Sequence, residues 1–181
     1  MARYAAFLRG INVGGHRVSG DELRALFTQL GFEGVATFRA SGNVVFGAAG
    51  GERPEEIAER IERGLAGSLG YEVPAFVRSA SAVKAIAGHR PFDSGLVEAS
   101  GGKLQVLLLL ANPSSQARRK VLGFETDEDL LAIRGRELYW LPSGGIRDSD
   151  LDLNEIEALL GAATMRTKGT IDQIAAKHFS D

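Results

Sequence analysis

The chain has 181 residues, 44% of them hydrophobic and 24% charged, with a formal net charge of −2 at pH 7. This is the composition of a globular protein with one sizeable core or two small ones, and neither half, divided at Ala80, is a basic module that would be drawn to nucleic acid or anionic lipid. The absence of cysteine excludes disulfides, thiol nucleophiles, thiolate metal sites and iron–sulfur clusters. The longest apolar run, Val106 to Ala111, is too short to span a bilayer, and a cytoplasmic protein is expected.

Arg3 to Arg9 reads as a buried strand of Tyr, Ala, Phe and Leu that ends where Gly10 opens a loop. Ser19 followed by Glu22 forms a capping box for a helix carrying Leu23, Leu26, Phe27 and Leu30, with Gly31 as its stop. Gly34 to Ala40 alternates as a second strand, Ser41-Gly42-Asn43 turns the chain, and Val44-Val45-Phe46 returns as a third. Pro54 begins a helix with Ile57, Ile61 and Leu65 inward and a solvated face of Glu and Arg. Tyr71 to Arg78 then closes the unit as a strand, with Pro74 marking a sheet edge. The order β-α-β-β-α-β is that of the ferredoxin-like plait.

A short helix is expected over Ser79 to Ala87, capped by Ser79 or Ser81, followed by a loop from His89 to Gly102. The same order then restarts. Leu104 to Ala111 is an apolar strand, with Val106, Leu108 and Leu110 expected on one buried face. Asn112-Pro113-Ser114 starts a helix, Leu130–Ile133 and Glu137–Leu141 form a hairpin about Gly135-Arg136, and Asp150 to Leu160 is a helix with an acidic start. Thr164 to Lys168 is expected as the fourth strand and Thr170 to Phe179 as a closing helix. The expected fold is therefore α+β, two tandem ferredoxin-like plaits with an extra C-terminal helix. Residues 1–79 form the first plait, and residues 80–181 hold a linker helix, the second plait and the closing helix.

Two stretches are more polar than packing requires, Leu8-Arg9-Gly10-Ile11-Asn12-Val13-Gly14-Gly15 and Arg39-Ala40-Ser41-Gly42-Asn43-Val44-Val45-Phe46. In a plait both fall at one end of the sheet, which brings Arg9, Asn12, Gly14 and Gly15 near Arg39, Ser41 and Asn43. Two guanidiniums, two amides and a glycine-rich backbone leading into a helix make a candidate cradle for a small anion, phosphate or carboxylate. The competing reading gives the glycines only to turns and Asn43 only to a positive φ. The glycine pair has neither a Walker lysine nor dinucleotide-fingerprint spacing.

These two stretches resemble the bacterial family called domain of unknown function 1697, and the resemblance extends over nearly the whole chain. The family's carboxyl-end pattern T-x-R-N-W-N-T is met here by Thr164, Arg166 and Thr170, with Thr167-Lys168-Gly169 in place of its Asn-Trp-Asn centre. The basic residue common after Gly-Gly is met by His16-Arg17. His16, Arg17, Thr164, Arg166 and Thr170 are thus secondary site candidates, and no reaction carries over from the family.

No catalytic constellation is legible, and neither a cofactor nor a metal site is expected. His16, His89 and His178 lie in separate contexts without ligand spacing, and His178 reads as a charge-friendly residue at a helix end. Asp148, Asp150 and Asp152 lack the glycine and distant Glu of a calcium loop and read as helix N-terminal acids. An RNA-recognition pattern is absent, with only Phe46 on the third strand and Tyr4 and Phe7 on the first. The expectation is a small anionic ligand, without nucleic acid or membrane as partner. The alternative is a non-catalytic, self-associating structural or regulatory module, and the oligomeric state is not legible.

Overall fold

The computed structural model describes residues 1–39 and 42–181. It divides into two compact units, residues 1–86 with 174–181, and residues 87–173.

The first unit runs β1 (Ala2–Leu8), α1 (Gly20–Gln29), β2 (Glu33–Thr37), β3 (Asn43–Ala48), α2 (Pro54–Leu69), β4 (Ala75–Ser79) and α3 (Ala80–Gly88). Its four strands form one antiparallel sheet in the order β2-β3-β1-β4. Alternate residues divide the sheet into two faces. Tyr4, Ala6, Leu8, Val44, Phe46, Ala75 and Val77 share a core with Leu23 and Phe27 of α1 and Ile57, Ile61 and Leu65 of α2. Ala5, Phe7, Val45 and Phe76, on the opposite face, are buried too. Burial on both faces is why β1 reads as a continuous apolar run instead of an alternation.

Both long helices have the local signals that fix their ends. Ser19 Oγ accepts from the Glu22 N–H (3.1 Å) while Glu22 Oε2 accepts from the Ser19 N–H (2.6 Å), completing the capping box. In α2, Pro54 stands in the first turn, Glu56 Oε2 accepts from the Arg53 N–H (3.0 Å), and Gly70 ends the helix at φ +81°. On the helix's outer side Arg60 pairs with Glu52 at 2.9 Å and lies 4.1 Å over the Phe32 ring.

The second unit has β5 (Gln105–Leu109), α5 (Ser115–Leu122), β6 (Asp129–Arg134), β7 (Glu137–Pro142), α6 (Leu153–Leu160), β8 (Ala163–Thr167) and the start of α7 (Lys168–His178), with sheet order β6-β7-β5-β8, again antiparallel. The sequence reading differs in three places. The passage expected as a loop contains α4 (Ser94–Ala99), started by Asp93, whose carboxylate accepts from the Gly95 N–H at 3.0 Å. Val106 and Leu108 are buried as expected, but β5 ends at Leu109 and Leu110 is 50% exposed. Leu107 and Leu109, not Val106 and Leu108, join the helix-facing core with Val121, Leu138, Trp140 and Ile156. The acidic helix begins only at Leu153, because Asp152 takes the cap position and accepts from the Asn154 and Glu155 N–H groups at 3.0 and 3.1 Å.

One local device occurs in both units. The outer strands β4 and β8 read Ala75-Phe76-Val77-Arg78-Ser79 and Ala163-Thr164-Met165-Arg166-Thr167. A glutamate of the preceding helix takes the first N–H of each, Glu62 from Ala75 at 3.0 Å and Glu157 from Ala163 at 3.2 Å. The strand's own arginine donates to the preceding carbonyl, Arg78 to Val77 at 3.1 Å and Arg166 to Met165 at 2.9 Å. Ser79 and Thr167 then cap the helix that follows, accepting from the Ala82 and Thr170 N–H groups at 3.2 Å each. Side chains thereby satisfy backbone groups of a strand that pairs on one side only, which blunts an edge otherwise open to further pairing. The helix after the fourth strand thus belongs to the repeating pattern of both halves, α3 in one and α7 in the other.

Candidate functional site

Three segments meet at the end of β1. The Leu8 N–H donates to the Gly42 carbonyl at 2.9 Å, and the Arg9 N–H to the Pro74 carbonyl at 3.0 Å. Gly42 sits at φ +79°, and a Cβ there would lie 3.0 Å from Ile11 Cγ2 and 3.1 Å from Leu8 Cβ. The two sequence stretches therefore interlock, and glycine at 42 is required by both its dihedral and its neighbours.

The loop between β1 and α1 is fastened at several points. Asn12 Oδ1 accepts from the Val18 N–H at 2.7 Å, and Arg17 Nη1 donates to the Asn12 and His16 carbonyls, both at 3.0 Å. Gly14 and Gly15, at φ +61° and +85°, make the tight turn closed by the His16 N–H on the Val13 carbonyl at 3.1 Å. Tyr71 donates its hydroxyl to the Ile11 carbonyl at 2.9 Å, and its ring stacks on His16 with centroids 3.8 Å apart and planes at 22°.

At the start of β3, Asn43 is buried (1% exposed). Its Nδ2 donates to the Phe38 carbonyl at 3.0 Å, and its own carbonyl accepts from the Phe38 N–H at 2.9 Å. Positive φ falls not on Asn43 but on Gly42 and on Arg39, at +58°. The Arg39 guanidinium lies 5.5 Å from the Phe38 ring centroid, with Lys177 Nζ 5.9 Å from the same ring.

Of the residues expected in the cradle, Arg9, Gly14 and Gly15 of the loop and Arg39 of the turn are exposed at this strand end. Asn12, half-buried, and Asn43 brace backbone, and Ser41 lies outside the described residues. The helix start contributes less than its sequence promised. The Ser19–Glu22 box occupies it, and Asp21 and Glu22 fill its first turn with negative charge. The full positive charges at this strand end are those of the Arg9, Arg17 and Arg39 side chains. Tyr71 and Lys177 were missed because both lie far along the chain from the segments they approach, and nothing local marks them.

Thr164, Arg166 and Thr170 belong to the second unit. Arg166 is largely buried, which pushes its guanidinium down to about 10, and it donates to Thr164 Oγ1 and the Met165 carbonyl, both at 2.9 Å. Thr170 completes the cap with Thr167, their hydroxyls 2.9 Å apart. His89 Nδ1 lies 2.9 Å from Arg134 Nη1, and burial, with Arg134 and Lys168, holds its pKa below the ordinary value. His178 stands in the last turn of α7, as expected. Burial, then Lys177 and Arg3, lower its pKa, and its buried Nε2 has no hydrogen bond among the described residues.

An acidic cleft of ≈ 470 Å³ in the second unit is lined by Glu128, Asp129, Asp148, Asp150, Asp152 and Glu155, among others. Its buried carboxylate, Asp129, accepts from Trp140 Nε1 at 2.8 Å and Ser149 Oγ at 2.7 Å. Among the described residues no group of three or more His, Asp or Glu is placed to hold a metal ion, and no helix is long and apolar enough to cross a membrane.

The family described as "Protein of unknown function (DUF1697)" matches residues 1–139. A solved structure, that of the conserved bacterial protein SP0830 from Streptococcus pneumoniae, is similar over 99% of both chains with a TM-score of 0.74 at 22% identity, a likeness of fold. No curated protein matches the chain.

Proposed function

This chain belongs to the DUF1697 family, and we propose that it binds a small phosphate- or carboxylate-bearing ligand at the loop end of the first unit. Arg39 carries the reading. It is an exposed, non-glycine residue held at φ +58°, next to Phe38, whose backbone N–H and carbonyl are both bonded to Asn43. A left-handed non-glycine residue costs about 1–2 kcal/mol, and strain of this kind collects at ligand clamps, where the surroundings over-determine it. The bond from the Leu8 N–H to the Gly42 carbonyl supports reading the exposed Arg9 and Arg39 as a pair suited to bidentate anion binding. The overall charge of −2 makes this a local feature, not a consequence of a basic chain. Each sheet with its helices we read as a ferredoxin-like plait, supported by the strand orders β2-β3-β1-β4 and β6-β7-β5-β8.

Calorimetric titration with phosphate, nucleoside phosphates and small dicarboxylates tests the reading. Arg9→Ala and Arg39→Ala are each expected to weaken binding by about 1.5–3 kcal/mol, the scale of a hydrogen bond to a charged group. The double variant should lose less than the sum, since both groups serve one ligand. Wild-type protein that binds nothing in the panel, together with an Arg9→Ala variant that melts well below it, would show Arg9 to be structural and end the proposal.

A further inference from the structure

The loop that follows Arg9 carries an imidazole that is exposed yet held in place. His16 lies at the surface, but one face of its ring rests on Tyr71 at 3.8 Å and 22°. Tyr71 is itself pinned through its hydroxyl to the Ile11 carbonyl at 2.9 Å. The backbone of His16 is fixed on both sides, by its N–H on Val13 and by Arg17 bridging its carbonyl to that of Asn12. A surface side chain normally keeps its rotamer freedom, and ordering it on binding weakens affinity. Here that cost is met by the fold before any ligand arrives. The result is a flat, preorganised ring on the loop that carries Arg9, with the Gly14-Gly15 turn immediately before it.

We infer that the anion is carried on a planar heteroaromatic ring, so that the ligand is a nucleoside phosphate whose base stacks on the His16 face turned away from Tyr71. The inference rests on the anion-binding reading above and gives that site a substrate class. Every base has a π face, so a stacking platform selects the class without selecting one base, and stacking contributes roughly 5- to 150-fold in affinity. The phosphate supplies the charge for the two guanidiniums, and the base supplies apolar area that a sugar phosphate lacks. A loop fastener needs only the inner face of His16, whereas a platform uses the outer one.

The test compares inorganic phosphate, ribose 5-phosphate, adenosine and adenosine 5′-monophosphate on the full chain. Adenosine monophosphate should bind wild type roughly 5- to 150-fold more tightly than ribose 5-phosphate. His16→Ala should abolish that advantage, and His16→Phe should keep it. Ring protons of His16 should shift in NMR spectra with the nucleotide and not with ribose 5-phosphate. Equal affinity for the two phosphates in wild type overturns the inference but leaves anion binding standing, and needs no variant to fold. Equal weakening of both ligands by His16→Ala, with restoration of both by His16→Phe, makes the stack a loop fastener and also overturns it. An advantage for the nucleotide that His16→Ala leaves intact puts the base elsewhere and likewise overturns it. No binding of any phosphate removes the underlying reading as well.

Discussion

Gly42→Ala puts the interlock of the two polar stretches to a quantitative test. Alanine at φ +79° costs about 1–2 kcal/mol from left-handed backbone alone. Its Cβ would also lie 3.0 Å from Ile11 Cγ2, 3.1 Å from Leu8 Cβ and 3.3 Å from the Leu8 carbonyl oxygen. Ile11 and Leu8 are each 2% exposed, so neither can swing into solvent, and overpacking of this kind costs a further 1–3 kcal/mol or so. The expected loss is about 2–5 kcal/mol. Gly14→Ala is the control, with a similar φ of +61° but nothing within 4 Å of its Cβ, so only the backbone cost of about 1–2 kcal/mol applies. The reduced freedom of the unfolded chain offsets both variants alike. Urea unfolding can separate the units, because the single tryptophan, Trp140, lies in the second. Circular dichroism follows both, so the Gly42→Ala loss should appear as an early dichroism transition with tryptophan emission unmoved. A Gly42→Ala variant no less stable than Gly14→Ala would refute the interlock.

In the second unit, Leu108→Ala should cost about 2–5 kcal/mol, while Leu110→Ala, at a half-exposed position beyond the strand, should stay within about 0.5 kcal/mol. Denaturant unfolding followed by Trp140 emission reads both. Mild acid should destabilise the protein through two of its histidines. His89 and His178 have folded pKa values below the ordinary 6.5, so the unfolded chain takes up protons first, and stability present above 6.5 is lost as pH falls from there through the lowered values. Melting temperatures recorded from about pH 8 to pH 5 should show that decline, and His89→Gln and His178→Gln should each flatten it.

What the sequence made legible was whatever is written locally. Ser19 and Glu22 announce α1 three residues apart, Pro54 marks the start of α2, and a helix of sixteen residues shows its apolar period plainly. α4 has six residues and no buried one, so no period exists to be read, and only the Asp93 cap marks it. Leu110 looks like more strand because it is apolar, but the partner strand turns at Gly135-Arg136, and the Leu109 N–H on the Arg136 carbonyl is where that pairing runs out. For the site, chain order sufficed to bring the loop after β1 to the turn after β2. The helix-start argument was weakened by information already present, since the capping box takes the Ser19 and Glu22 amides and Asp21 and Glu22 add negative charge to the same turn. The His16–Tyr71 stack and the matching arms of Arg78 and Arg166 depend on register and on packing between distant segments, which no local pattern encodes.

The grouping of residues 174–181 with the first unit bears on how the chain acquires its structure during synthesis. The second unit is one continuous stretch and has all its parts once residue 173 has emerged. The first unit begins earlier but waits for Ile174, Ala175 and Phe179, all buried, across the whole of its neighbour's translation. The core shared by its sheet, α1 and α2 lies within residues 4–77, so it is the addition of 174–181 that requires closure of a very long loop, a slow step at high contact order. The usual N-terminal-first sequence of domain completion is altered here: the unit that bears the candidate site receives residues 174–181 only after its neighbour's stretch has been made.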